Sequence, residues 1–340
     1  MTTITGFTDQ AYDVTLASGA KAIGAGFVDH FDGRRLAELT AQSRPDLLIV
    51  RGPIRPVIWW AIRHRVRTLL LLADSFNTQS AKSRLSGALL GLLTRAPNIE
   101  WVANHGNRAA EQLVRIGVPR RKVLAWDYPT FDRPENTPPK TKPSSPAKII
   151  YVGLLAQAKG VDDLIVATKQ LVDAGRDVRL DLVGRHDDGR LAGLIAHHRL
   201  EGVVHQLGMI DNAEVIVKMR QADIVVVPSR HEYSEGMPLT IYEALCSRTP
   251  LVVSDHPMFA GAVIDRESGL VFRAGNTAEL ADRMTELLDN EALYSRVSEG
   301  SAAAWNRLQI PLKWADLITD WIADTSTSRA RLATQSFANR

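Results

Sequence analysis

Val225-Val226-Val227-Pro228-Ser229-Arg230-His231-Glu232-Tyr233-Ser234-Glu235-Gly236-Met237-Pro238-Leu239-Thr240-Ile241-Tyr242-Glu243-Ala244-Leu245 is the stretch whose reading decides the fold. Three valines make a short β-branched run of the kind buried in a sheet. A polar loop follows, and Gly236 and Pro238 then precede an apolar helical pattern. In an open parallel sheet, such a strand-loop-helix unit brings its loop to the crevice at the carboxyl ends of the strands, where ligands bind. A glycine there lets backbone approach a ligand, and a proline in the first turn leaves the remaining N–H groups pointing outward with the positive end of the helix dipole. Glu235 precedes the helix and Glu243 lies inside it, so the two carboxylates can face one cavity at different depths. A carboxylate accepts hydrogen bonds only and suits a vicinal diol. Read alone, the pair is equally a helix-capping Glu235 and a solvated Glu243, whose free carboxylate is expected to face a hydrated cleft.

Outward from this stretch the same alternation continues. Strand patterns at 148–152, 178–183, 203–207, 224–227 and 251–254 alternate with helical patterns at 160–174, 191–198, 212–221, 238–246 and 277–290. That rhythm argues for a parallel sheet covered on both faces. The first half shows it more faintly, with strands at 46–50, 68–72, 99–103 and 122–126 and helices near 57–64, 83–93 and 106–116. Between the halves the chain is proline-rich and nearly devoid of apolar side chains, and such a run is stiff and extended. With 340 residues, two cores are expected: a first domain over 1–132, a linker over 133–148, and a second domain over 149–310. The tail beyond Thr325 is polar and expected to be loose.

Composition narrows the function class. Apolar residues at 45% and charged residues at 23% are ordinary for a globular chain. The single cysteine, Cys246, reads as a small core residue, and a reducing, cytoplasmic setting fits. The first ten residues have neither the basic nor the apolar region of a signal peptide, and no apolar run reaches the roughly 20 residues needed to span a bilayer. The net charge of +3 does not point to nucleic acid, although it is unevenly spread: residues 1–134 carry +7 and the remainder −4. No Asp-x-Asp pair stands at a strand end and no His/Cys cluster has ligand spacing, so neither a metal nor a cofactor is expected.

The segment from Glu235 to Glu243 resembles the Glu-x7-Glu motif of the retaining family-4 glycosyltransferases. The similarity runs from Ile149 to Asn290 through Gly153-x6-Gly160 with Lys159, Val183-Gly184, Leu207-Gly208, Pro228-Ser229, Thr249-Pro250-Leu251-Val252-Val253 and Ser268-Gly269-Leu270-Val271. The resemblance implies an α/β chain of GT-B fold, two Rossmann-like domains facing a central cleft, with a helix over 311–325 crossing back to the first domain. It implies a UDP- or GDP-linked sugar as donor co-substrate and a glycan or lipid-linked acceptor. Glu243 would then hold the ribose hydroxyls and Glu235 the donor-sugar hydroxyls. The backbone of Gly236, Met237, Pro238, Leu239 and Thr240 would cradle sugar and phosphate. Lys159 beside Gly153 would neutralise the diphosphate, whose charge grows as it leaves. Alone, Lys159 would read as a surface lysine at a helix start.

Two departures from the family pattern stand out. Leu154 occupies the place of an arginine that normally pairs with the lysine; Arg185, after Val183-Gly184, could supply a guanidinium, unless Asp187 or Asp188 pairs with it. In the first half, Gly24-Ala25-Gly26 is a weak match to the family's glycine-rich loop. Asp74 stands where a His-Asp pair is expected, and His105 at a strand end offers another ring. These departures leave open a non-catalytic subunit that binds a sugar nucleotide or a partner enzyme. A nucleotide-sugar epimerase of the same fold is a further alternative. Finally, Arg51, Arg55, Arg63, His64, Arg65 and Arg67 interleave with Trp59, Trp60 and aliphatic residues, and Lys82 to Arg95 is apolar with basic ends. This is the pattern of an interfacial helix and suggests weak association with an anionic membrane at its inner face. Ordinary core helices with solvated arginines would give the same spacing.

Overall fold

The protein is described by a computed structural model over residues 2–5, 21–24, 32–76, 80–129, 132–185 and 189–339. Its contacts divide the chain into two units, one of 1–128 with 310–340 and one of 129–309. Ala25 and Gly26 of the weak glycine-rich match, and Asp187 and Asp188, lie outside the described residues.

The first unit holds a short parallel pair, β1 (Thr2–Thr5) with β2 (Lys21–Gly24), and a four-stranded parallel sheet. That sheet runs in the order β3 (Leu47–Val50), β4 (Arg67–Leu72), β5 (Ile99–His105), β6 (Val123–Trp126). Leu69, Leu70 and Leu71 are successive and all fully buried, which requires cover on both faces of the sheet and explains why β4 reads as a continuous apolar run. Lys122 is held in this core by three backbone carbonyls to which its ammonium donates, those of Thr94 (3.0 Å), Ala96 (2.7 Å) and Ile99 (2.6 Å).

Residues from Ile310 onward complete the same core. Asp127 N–H donates to Leu312 O (3.1 Å) and Trp314 N–H to Asp127 O (2.8 Å). In the helix Trp314–Ala323, Leu317 and Trp321 are buried, and the Trp321 indole donates to Glu100 Oε2 at 2.7 Å. The tail expected to be loose is instead a helix, Ser326–Thr334. Thr325 and Ser328 form a capping box at its start, and Leu332 and Phe337 anchor it in the core.

The second unit is a six-stranded parallel sheet in the order β12 (Leu270–Phe272), β11 (Leu251–Ser254), β10 (Ile224–Val227), β7 (Ala147–Val152), β8 (Val178–Val183), β9 (Val204–Gly208). The chain builds outward from β7 to β9, then returns to β7's other side for β10 to β12. Strand order therefore reverses between β7 and β10, with Ile149 opposite Ile224 and Ile150 opposite Val225. The 133–148 stretch, expected to be a linker without packing, is held to this unit by polar contacts. Ser144 N–H and hydroxyl and Lys148 N–H all donate to the buried Asp223 carboxylate, at 2.9, 2.6 and 2.8 Å. Lys140 N–H donates to Ser298 Oγ at 2.7 Å. Backbone hydrogen bonding here replaces the apolar packing that the composition rules out.

Candidate functional site

The reversal between β7 and β10 is a topological switch point, and in such sheets the crevice lies beyond the carboxyl ends of the two flanking strands. The segments that emerge there are 153–160 after β7 and 228–238 after β10. Gly160 joins them: its φ is +73°, and a Cβ at this position would stand 2.0 Å from the Pro228 carbonyl oxygen. Only glycine permits that approach. Arg230 adds two further ties, its N–H donating to Ala158 O at 2.9 Å and its guanidinium gripping Asp163 at 2.8 and 2.6 Å.

Against this backbone frame Lys159 and Glu235 form a largely buried ion pair through Nζ and Oε1. Ser229 Oγ donates to the same carboxylate oxygen at 2.7 Å, and the Tyr233 ring lies 4.4 Å from the ammonium, within cation–π range. His256, buried alongside, faces Tyr233 O at 3.1 Å, and burial pushes its imidazole below the ordinary range. A cation, an anion and a hydroxyl thus meet at one point of the crevice. That arrangement can bind an anionic group and sugar hydroxyls side by side.

The helix Leu239–Ser247 begins at Pro238 with no side-chain cap, which leaves its first N–H groups for another acceptor. Gly236, Met237 and Pro238 are buried, Leu239 is exposed and Thr240 half-buried. Glu243 departs from expectation. Instead of facing water, its carboxyl is half-buried and makes no hydrogen bond or ion pair among the described residues. Desolvation pushes it up to about 7.

Gly153 and Gly184 end β7 and β8 at φ +152° and +150°, and a Cβ on Gly184 would meet Gly153 O at 1.8 Å. The strand ends are therefore bare peptide. Leu154 is exposed and offers its carbonyl to the Tyr151 hydroxyl at 2.8 Å. Arg185 is exposed beyond Gly184.

The remaining candidates belong to the first unit. Asp74 is exposed after β4 and its carbonyl accepts from Asn104 Nδ2 at 3.0 Å. His105 is buried, with Nε2 3.2 Å from Asp127 Oδ1 and its ring against Trp126 and Tyr128 at 5.0 and 5.2 Å. Lys313 Nζ stands 3.5 Å from the other Asp127 oxygen. Sequence reading assigned no role to Ser229, Arg230, Tyr233 and Asp163. Their signal was placement: Asp163 lies one turn after Lys159, and the other three fill the loop that follows β10. Among the described residues no group of three or more His, Cys, Asp or Glu side chains is placed to hold a metal ion.

Comparison with known proteins identifies the family and the fold. The family described as glycosyl transferases group 1 matches residues 132–303. The chain is similar to the phosphatidyl-myo-inositol mannosyltransferase of Mycobacterium leprae, 35% identical over 153 residues, which cover 44% of this chain and 39% of that protein. It is also similar to the alpha-D-kanosaminyltransferase of Streptomyces kanamyceticus, 28% identical over 254 residues, 73% of this chain and 58% of that protein. It thus spans less than two thirds of either relative's length. Among solved structures, Anabaena HepE in complex with UDP and glucose superposes with a TM-score of 0.68 at 18% identity, covering 96% of this chain and 91% of HepE. That likeness shows the fold, GT-B with two Rossmann-like domains. With the family match extending over half of its length, the chain belongs to the group 1 glycosyl transferases.

Proposed function

We propose that this chain is a retaining, metal-independent glycosyltransferase of family 4, which moves a sugar from a UDP- or GDP-linked donor to a glycan or lipid-linked acceptor. The observation that carries the reading is the junction of Lys159, Glu235 and Ser229 at the switch point. Lys159 neutralises the diphosphate, and its gain grows as negative charge builds on the leaving group. Glu235 and Ser229 orient donor-sugar hydroxyls, the backbone of Gly236 to Thr240 meets sugar and phosphate, and Glu243 accepts the two ribose hydroxyls. Arg185 supplies the second positive charge in place of Leu154. The acceptor hydroxyl passes its proton to the departing phosphate on the face where the new bond forms, so no dedicated protein base is required. Asp74 and His105 lie on the acceptor-binding unit.

The relative named for phosphatidyl-myo-inositol supports a lipid-linked acceptor, and HepE, solved with UDP and glucose, supports UDP as the first nucleotide to try. Cell-envelope polysaccharide or lipopolysaccharide synthesis, on the cytoplasmic face of a membrane, is the proposed setting. Incubation with UDP- and GDP-sugars in the presence of a chelator should release nucleoside diphosphate, and the α-linked donor should give an α-linked product. Lys159→Ala should slow release by at least about a hundredfold, as expected for loss of a charge that acts on the leaving group. Unchanged turnover in that variant would remove the junction from the mechanism. The exposed Leu154 favours a second reading, a subunit that binds sugar nucleotide without turnover; saturable binding with no release from any donor would establish it.

A further inference from the structure

The helix Ala81–Leu93 is amphipathic in the wrong sense for a protein in water. Its buried residues are Gly87, Leu90 and Gly91, and Gly91 is pressed so closely on the backbone at Ile116 and Gly117 that a Cβ there would meet the Ile116 carbonyl oxygen at 2.2 Å. The opposite face carries Leu85, Leu89 and Leu92, which are 74%, 39% and 59% exposed. Leu90 is the one leucine of this helix buried in the core, beside two glycines, while three others point out. The helix Arg55–His64 packs beside it and adds Trp59, 62% exposed, flanked one helical turn away on either side by the exposed Arg55 and Arg63. Lys82, Arg84 and Arg95 are exposed around the leucines. Asp74 is the one acidic residue between positions 47 and 99.

We infer that these two helices form a docking surface for an anionic lipid bilayer, with Leu85, Leu89, Leu92 and Trp59 entering the boundary between headgroups and acyl chains and the arginines and lysines meeting lipid phosphates. The inference goes beyond the transfer chemistry and does not depend on it. Apolar side chains ringed by cations, with their helix lying flat, match the interface of an anionic membrane in both polarity and charge. A second copy of the chain would bring the same positive charge against itself, and a nucleic acid would leave the leucines without a partner. Among the described residues no helix is long and apolar enough to cross a membrane, so the contact is interfacial.

Flotation with phosphatidylcholine vesicles, with and without phosphatidylglycerol, tests this directly. The full chain should float with the anionic vesicles at low salt and be released at high salt. Replacing Leu85, Leu89 and Leu92 together by serine should weaken partitioning by at least about a hundredfold. Replacing Lys82, Arg84 and Arg95 by glutamine should weaken it about fivefold per charge. Both variants should keep the parent melting temperature, because the altered side chains are exposed. Trp59 emission should shift to the blue on binding, and Trp59→Phe should abolish that shift. Three results would overturn the inference: no flotation with anionic vesicles, flotation indifferent to both sets of substitutions, or lipid-free self-association that the serine substitutions abolish.

Discussion

At Glu243 the binding role proposed above and the stability of the fold meet in one side chain. Its carboxyl is half-buried and has no hydrogen-bond or ion-pair partner among the described residues, and desolvation raises it from the ordinary 4.5 to about 7. The folded chain therefore keeps a proton there that the unfolded chain gives up between those values. The associated stability is fully present below about pH 4.5 and gone above about pH 7. Such a shift corresponds to at most about 3 kcal/mol, and partial contact with water reduces it to about 1 kcal/mol. Glu243→Gln should accordingly raise the melting temperature at pH 8, and the advantage should disappear below pH 4.5; equal melting curves at pH 8 would show that the carboxyl is hydrated. The same variant should bind nucleoside diphosphate at least about tenfold more weakly at pH 8, because charge-assisted bonds to a diol are lost. Calorimetric titration across pH should show wild-type affinity rising through about 7 and the difference between the two proteins vanishing below it. The seven-residue spacing marked Glu243 as a candidate in the sequence. Its desolvation was not legible there, because burial depends on tertiary packing, which no local motif announces.

At the scale of elements, the connection after β7 and the connection after β10 work as one piece, with Gly160 as the closest point. Gly160→Ala combines a left-handed backbone with a Cβ 2.0 Å from the Pro228 oxygen. It should cost about 2 to 4 kcal/mol by denaturant titration and should displace Lys159 from Glu235, so that nucleotide affinity falls with stability. A folded variant with full affinity would show the two loops to be independent. Strands such as β4 and β10 were legible because burial on both faces imposes an unbroken apolar run. The 133–148 stretch was legible only as a boundary. Asp223, which holds it, lies some 80 positions away in sequence from Ser144, and no composition rule connects the two. The helix Ser326–Thr334 hid in a polar segment, although Thr325 and Ser328 carried the cap that starts it.

At the scale of the whole molecule, the two units have separate apolar cores, and that of the first includes Ile310, Leu312, Leu317, Trp321, Leu332 and Phe337. The alternation of strands and helices made two Rossmann-like folds readable, but not that the first would need residues from both sides of the second. Truncation after Gln309 should therefore abolish amide protection in β3 to β6 while β7 to β12 remain protected by hydrogen exchange. Retained protection in both sheets would mean that the C-terminal helices merely cover a core already complete. The Arg67 guanidinium, which binds Glu100 and Asp324 together, places one of these dependencies at a single residue.

The discontinuity of the first unit also has a temporal side. On the ribosome, β3 to β6 emerge early but lack Trp321 and Phe337 until every strand of the second unit has been synthesised. The second unit, contiguous over 129–309, can close its own sheet during translation, whereas the first must wait with fully apolar strands such as Leu69–Leu72 uncovered. If the truncation prediction holds, the nascent chain matures in the reverse of its order of synthesis, and the half made first is the one that most needs a chaperone's shelter.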